Sequence, residues 1–384
     1  MVKKIYTALF DYQLEFLPSA AQIEEHVLGP LCKALKASFQ MEERSGCENT
    51  SAENAYDFSG DGYFAHLRLY RRDSPQECDL MTLLIESKKP IDLDDDGLEL
   101  GNLQHELSNR MVTDERNFRS LGCLKRCLKD SPYFKASDHR ILEYPIKEVL
   151  FSQRSPFQHV QIVDTNDFGK LLILDDMPNL AENDTKTYTH NLMALPMGLG
   201  PKYKDANILI LGGGDGALLK EIFAQPNKPA MVTMVEIDDI VMDAVNLHMP
   251  SVAGPYLRKD YREGPNHKII VGDAIEFMKN ELDKGTQYDI IFGDLTDCPI
   301  STSPSEEGTW NFLKLVLSLA IPLLKPEQGY YLTHCNGINA TRALREYEKH
   351  LKTMHNGKCT FTSSKEFVSS FMETWVYYQI QRHN

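Results

Sequence analysis

Four short strand-like segments, at residues 208–211, 231–237, 268–271 and 288–292, are each followed by a stretch of helical period, at 217–223, 240–248, 274–282 and 311–324. A fifth run, 330–333, precedes another helical stretch at 340–354. Strand alternating with helix constrains the fold more than any other feature here. It specifies an α/β class, a Rossmann-like doubly wound sheet that is mainly parallel. Pro322 is expected to bend or end its helix, because it lacks an amide and crowds the preceding turn. Two further β segments, 359–362 and 375–380, are expected to form an antiparallel hairpin at one edge.

The 384 residues suit two or three domains, read as 1–130, 131–195 and 196–384. Residues 20–39 predict an amphipathic helix, with Ile23, Val27, Leu31, Leu35 and Phe39 four apart. Residues 63–70 alternate apolar and polar, and 80–86 are β-like, so 1–130 is an α+β unit. Asp92 and Asp94–96 lack calcium-loop spacing and read as a solvated turn. Short β segments at 141–151, 159–164 and 171–175 predict a small antiparallel sheet in 131–195.

In a doubly wound sheet, ligands bind beyond the carboxyl ends of the strands. There the chain places Gly212-Gly213-Gly214-Asp215-Gly216, Glu236-Ile237-Asp238, Gly272-Asp273-Ala274 and Gly293-Asp294-Leu295-Thr296. One Asp after a strand is ordinarily a helix N-cap. Acids at four consecutive strand ends point instead to a single acidic crevice. The GGGDG turn lacks the third glycine of the dinucleotide fingerprint. Asp215 beside a helix start also repels a pyrophosphate, so nicotinamide cofactors are disfavoured. No GxxxxGK[ST], GxSxG or HExxH motif is present.

Glu236 lies 20 residues after Gly216, where an acid accepts from ribose hydroxyls. Asp273, at the next strand end, can accept from an adenine amino group. An adenosine without phosphates fits: S-adenosylmethionine, its decarboxylated form, or their products. Asp215, at the tip of the glycine turn, chooses among them. At roughly 4 Å and an effective dielectric near 20, like charges cost about 4 kcal/mol, which penalises a carboxylated tail and favours a cationic one. The second substrate is then an amine. With a pKa of about 10.4 it is almost wholly protonated at neutral pH, so attack on the sulfonium carbon needs a base. Asp294 is the candidate, with alignment for in-line displacement adding acceleration. No metal and no cofactor are expected, because the leaving group is a neutral thioether.

The net charge of −14 argues against nucleic acid as a partner and tolerates a cationic ligand. Eight scattered cysteines without a CxxC pair read as reduced thiols of a cytoplasmic protein. Asp11 and Glu15 interrupt the apolar start, a poor signal peptide, and no apolar run reaches membrane-spanning length. The polar stretch 295–310 at the ligand edge is expected to be a lid. Gln158 and Tyr188, in the preceding β region, are placed to roof the pocket.

GGGDG followed by VEID, GDA and GDLT resembles the aminopropyltransferases, the family of spermidine and spermine synthases. The tract DLTDCPISTSPSEEGTW is similar to the spermine synthase branch, as are SPFQ at 155–158, ILDDMPNLAENDTKTYTH at 173–190 and SSFMETWVYY at 369–378. The resemblance covers roughly 140–384. It implies transfer of the aminopropyl group of decarboxylated S-adenosylmethionine to spermidine, giving spermine and methylthioadenosine. It implies Asp294 as proton acceptor, Gln158, Glu236, Asp273 and Ala274 as nucleoside contacts, and Tyr188, Asp215 and Glu373 as polyamine contacts. It also implies a homodimer formed through residues 1–130, a domain resembling part of S-adenosylmethionine decarboxylase. Phe371 stands where the branch often has Tyr, and Asp297 echoes the diamine-binding acid of spermidine synthases. The rivals are therefore a spermidine synthase acting on putrescine, a methyltransferase on the same sheet, and a non-catalytic polyamine-binding paralogue. Asp215 argues against the methyltransferase, and the intact acids argue against the paralogue.

Overall fold

The computed structural model describes residues 4–14, 23–39, 42–46, 53–60, 62–74, 79–91, 118–126, 132–194, 201–295 and 306–384. The Asp92–Asp96 run, Asp297 and most of the expected 295–310 lid lie outside these residues. The chain divides into two compact units, Met1–Ser131 and Pro132–Asn384.

The first unit is an antiparallel sheet in the order Glu42–Gly46, Glu53–Gly60, Tyr63–Tyr70, Asp79–Ser87, Ile5–Leu14, Phe118–Arg126. Strand side chains alternate faces. Accordingly Met81, Leu83 and Ile85 are buried together with Ala65, Leu67 and Leu69 of the neighbouring strand. They share one core with Ile23, Val27, Leu31 and Leu35 of the helix. The helix expected over 20–39 has a break in its geometry. Pro30 has no amide to give His26, and a π-helical turn, Glu24–Leu28, leads into the α-helix Gly29–Phe39.

The second unit begins with an antiparallel sheet of Ile146–Arg154, His159–Thr165, Lys170–Leu174 and Met177–Ala181, paired in that order. The single strand expected at 141–151 is divided at Tyr144-Pro145. Pro145 offers no amide to a ladder, and Ile141–Glu143 pairs separately with Tyr133–Lys135. The strand Met177–Ala181 and the helix Thr185–Met193 have no counterpart in the sequence reading.

The main sheet is α/β and Rossmann-like, as expected. Its central strand, Asn207–Gly212, runs parallel to Met231–Glu236 on one side and Ile290–Asp294 on the other. His267–Val271 and Tyr330–Gly337 extend the parallel part. Glu373–Arg382 then pairs antiparallel with Tyr330–Gly337, and Cys359–Val368 forms the edge. Both faces are covered: Ile208 and Ile210 enter one core, Leu209 and Leu211 the other. Continuous apolar runs are what such doubly buried strands require. The helix Glu307–Ala320 passes into a 3-10 turn, Ile321–Leu323, at Pro322. The chain leaves the central strand toward both sides, so the crevice between Gly212 and Asp294 is the topological switch point where ligands bind.

Candidate active site

A cavity of about 600 Å³ opens at that switch point. Gln158, Tyr188, Asp215, Glu236, Asp273, Ala274 and Asp294 all line it. Asp175 adds a fifth carboxylate, and among the described residues no Lys or Arg lines the cavity.

The glycine turn makes the close packing possible. A Cβ on Gly212 would lie 2.0 Å from the Asp294 carbonyl oxygen, and the residue has a φ of +83°. A side chain there would push the two strand ends apart. Gly214 leaves room for the Glu236 carboxylate, 2.9 Å from where its Cβ would be.

The acids differ in how they are held. Glu236 Oε1 accepts from the Asp238 amide at 2.7 Å. Burial raises its pKa to about 7, against the lowering effect of backbone hydrogen bonds from Asp238, Ile237 and Gly214. Asp215 Oδ1 accepts from Ala217 N at 2.8 Å. Burial, and then the charge of Asp294, push its carboxyl well above the usual range. Asp273 caps the helix Ala274–Asp283, its Oδ1 accepting from Ile275 N at 2.7 Å. Capping and lining the cavity are compatible, because a carboxylate has two oxygens and the cap uses one. Asp238 is also a cap, and its other oxygen accepts from Ser155 Oγ at 2.7 Å and Gln158 Nε2 at 3.0 Å. That pair of bonds ties Gln158 to the main sheet.

Around Asp294 the neighbours come from elsewhere in the chain. Tyr188 Oη donates to Asp294 Oδ1 at 3.4 Å, and His334 Nε2 stands 3.6 Å from the same oxygen. The Tyr188 ring meets those of His334 and Phe371 at 5.9 Å and Tyr377 at 5.8 Å. Asp215 and Asp294 face one cavity, as the sequence reading requires.

Glu373 is the exception. It does not line the cavity among the described residues. It is buried, and its carboxylate accepts from the backbone amide of Ser137 at 3.2 Å and from the Ser137 hydroxyl. Gly337 supplies its space, since a Cβ there would lie 2.2 Å from the Glu373 carboxyl carbon. In this structure Glu373 is a buried carboxylate tied to Ser137. Asp175, His334 and Trp375 are among the lining residues that escaped the sequence reading. His334 was missed because the strand was expected to end at 333, whereas it runs to Gly337 and so puts His334 near the ligand edge. Trp375 sits in the SSFMETWVYY tract but carried no assigned role. The reading of uniformly reduced thiols also fails. Cys335 is disulfide-bonded.

A Rossmann-like sheet with an acid-lined cavity at its switch point defines a doubly wound α/β protein with a ligand crevice in the usual place. Comparison narrows it. Residues 185–384 match the family described as spermine/spermidine synthase domain, and 133–182 match the one described as spermidine synthase tetramerisation domain. The chain belongs to the spermine/spermidine synthase family. It is 35% identical over 198 residues to a polyamine aminopropyltransferase of Alkaliphilus metalliredigens, covering 51% of this chain and 65% of that protein. It is 32% identical over 177 residues to spermidine synthase 2 of Hyoscyamus niger, covering 46% and 52%. The aligned part is thus less than two thirds of either relative. A solved spermidine synthase in complex with a transition state analogue, AdoDATO, superposes with a TM-score of 0.52 at 19% identity, over 66% of this chain and 80% of that one. At that identity the likeness shows the fold.

Proposed function

We propose that the protein is an aminopropyltransferase that moves the aminopropyl group of decarboxylated S-adenosylmethionine to spermidine, giving spermine and methylthioadenosine. The observation that carries this reading is a cavity with five carboxylates and, among its described lining residues, no Lys or Arg. Such a site suits a cationic donor and a cationic acceptor, and disfavours a substrate with its own carboxylate.

Glu236, Asp273, Ala274 and Gln158 form the nucleoside end, and Tyr188, Asp294, His334 and Phe371 the amine end. Asp215 lies between them, beside the donor's tail. Asp294 takes a proton from the acceptor amine, whose lone pair attacks the propyl carbon next to sulfur. The new C–N bond forms as the C–S bond breaks, and the sulfonium leaves as a neutral thioether. The Tyr188 hydroxyl orients the Asp294 carboxylate. Spermidine is the chosen acceptor because the tracts at 155–158, 173–190 and 294–310 are similar to the spermine-forming branch. The second reading, putrescine as acceptor, draws on relatives named spermidine synthase. We further propose a cytoplasmic protein that assembles as a homodimer through residues 1–130, with no resident cofactor.

The test is to incubate the pure protein with decarboxylated S-adenosylmethionine and either spermidine or putrescine, then identify the polyamine made. Spermine is expected. Spermidine alone would favour the second reading, and no new polyamine with either amine would overturn both.

A further inference from the structure

Asp184 is a buried carboxylate that the proposed chemistry does not use. It stands at the N-cap position of the helix Thr185–Met193, yet its side chain makes no cap hydrogen bond to that helix. Its carboxylate turns instead to a segment 186 residues away, where Oδ2 accepts from Ser370 N at 2.6 Å and Oδ1 from Ser370 Oγ at 3.1 Å. Ser370 is fully buried, and its carbonyl accepts from the Tyr144 hydroxyl at 2.5 Å. Burial raises the Asp184 pKa, and the two Ser370 hydrogen bonds oppose that rise. A helix start that gives up its own cap to hold a distant turn has another task.

Both ends of this tie carry cavity walls. The Asp184 carbonyl accepts from Tyr188 N at 3.1 Å, which fixes the first turn of the helix bearing Tyr188. Ser370 belongs to the turn Ser369–Phe371, which Met372 closes in the left-handed region at φ +50°. Tyr188 and Phe371 meet ring edge to face, 5.9 Å apart with planes at 81°, and both line the cavity on the Asp294 side.

We propose that Asp184 is a positioning residue that locks the Phe371 turn to the Tyr188 helix and thereby sets acceptor binding without touching substrate. This rests on the aminopropyltransferase reading. An acid makes the lock because hydrogen bonds to a charged acceptor are stronger than neutral ones, and two donors from one residue fix the turn's orientation.

Two variants test it in steady-state kinetics on the full chain. Asp184→Asn keeps the shape and removes the charge. Loss of the charge-assisted bonds is expected to raise the acceptor KM about tenfold, with the donor KM unchanged within about twofold. Ser370→Ala keeps the backbone amide and should raise the acceptor KM about threefold. Folding of each variant is followed through Trp375, whose ring lies 4.8 Å from that of Phe371, in a Trp310→Phe background. Asp184→Asn should shift Trp375 emission even without substrates. Equal rises in both KM values, or no change in either variant, overturn acceptor control. Unchanged Trp375 emission overturns the lock. A wild-type chain that makes no polyamine while Asp184→Asn still shifts the emission overturns the enzymatic reading and leaves the lock standing.

Discussion

The two ends of the cavity are built by different means. At the proposed nucleoside end, each acid is oriented by its own neighbours: Glu236 by the Asp238 amide, Asp273 by the Ile275 amide. At the proposed amine end, Tyr188, Asp294, His334 and Phe371 come from four separate segments and meet through rings and long-range bonds. A site made of local turns is specified as soon as its strand and helix form. A site made of distant segments depends on the packing between them. Under the proposed reading, acceptor recognition can therefore change by repacking while the donor site stays intact.

The largest effect expected is at Asp294. As the proposed base it would carry proton transfer, so Asp294→Asn should lower kcat by about a thousandfold or more, with donor binding retained in calorimetry. Equal losses of binding and turnover would make it a binding residue and blur the contrast between the ends.

Next is Glu236→Gln. The loss of the charged hydrogen bonds proposed to the ribose should weaken donor binding by about 10- to 100-fold while the acceptor KM holds. The same variant carries a pH signature. Glu236 titrates near 7 in the folded chain, against an ordinary value of 4.5. Between these values the folded state binds more protons than the unfolded one, so this group makes stability fall as pH rises through that window. The cost is fully present above about pH 7 and absent below about pH 4.5. Thermal melts of the ligand-free protein should therefore show Glu236→Gln gaining on wild type as pH rises from 5 to 8, and a parallel pair of curves would refute the buried charge.

Smaller effects are expected from residues that tie or orient. Glu373→Gln should lower the melting temperature through its bonds to Ser137, with the acceptor KM within about twofold of wild type. A selective rise in acceptor KM would show that Glu373 reaches the polyamine after all. Tyr188→Phe removes a long 3.4 Å hydrogen bond and should cost only about threefold in kcat.

The same contrast explains what the sequence made legible. Asp215, Glu236, Asp273 and Asp294 were found because each closes a recognisable strand, and the period of the strands and helices between 205 and 380 is regular. Pro322 ended its helix as its chemistry requires. His334 and Trp375 were not found, because a residue's arrival at a ligand edge depends on register and strand length, which local pattern leaves loose. Glu373 was placed by resemblance, and only the packing of Ser137 against it and the gap at Gly337 show what occupies its carboxylate. The division at Pro145 was missed because β-like residues stand on both sides of it, and reading 141–151 as one segment passed over a residue unable to join a ladder.

The central claim is that a ring of carboxylates selects a donor whose tail is purely cationic. Titration calorimetry of the wild-type protein with decarboxylated S-adenosylmethionine and with S-adenosylmethionine tests it most directly. The decarboxylated donor should bind at least about tenfold more tightly, because the other brings its own carboxylate toward Asp215. Equal binding, or tighter binding of S-adenosylmethionine, would contradict the account.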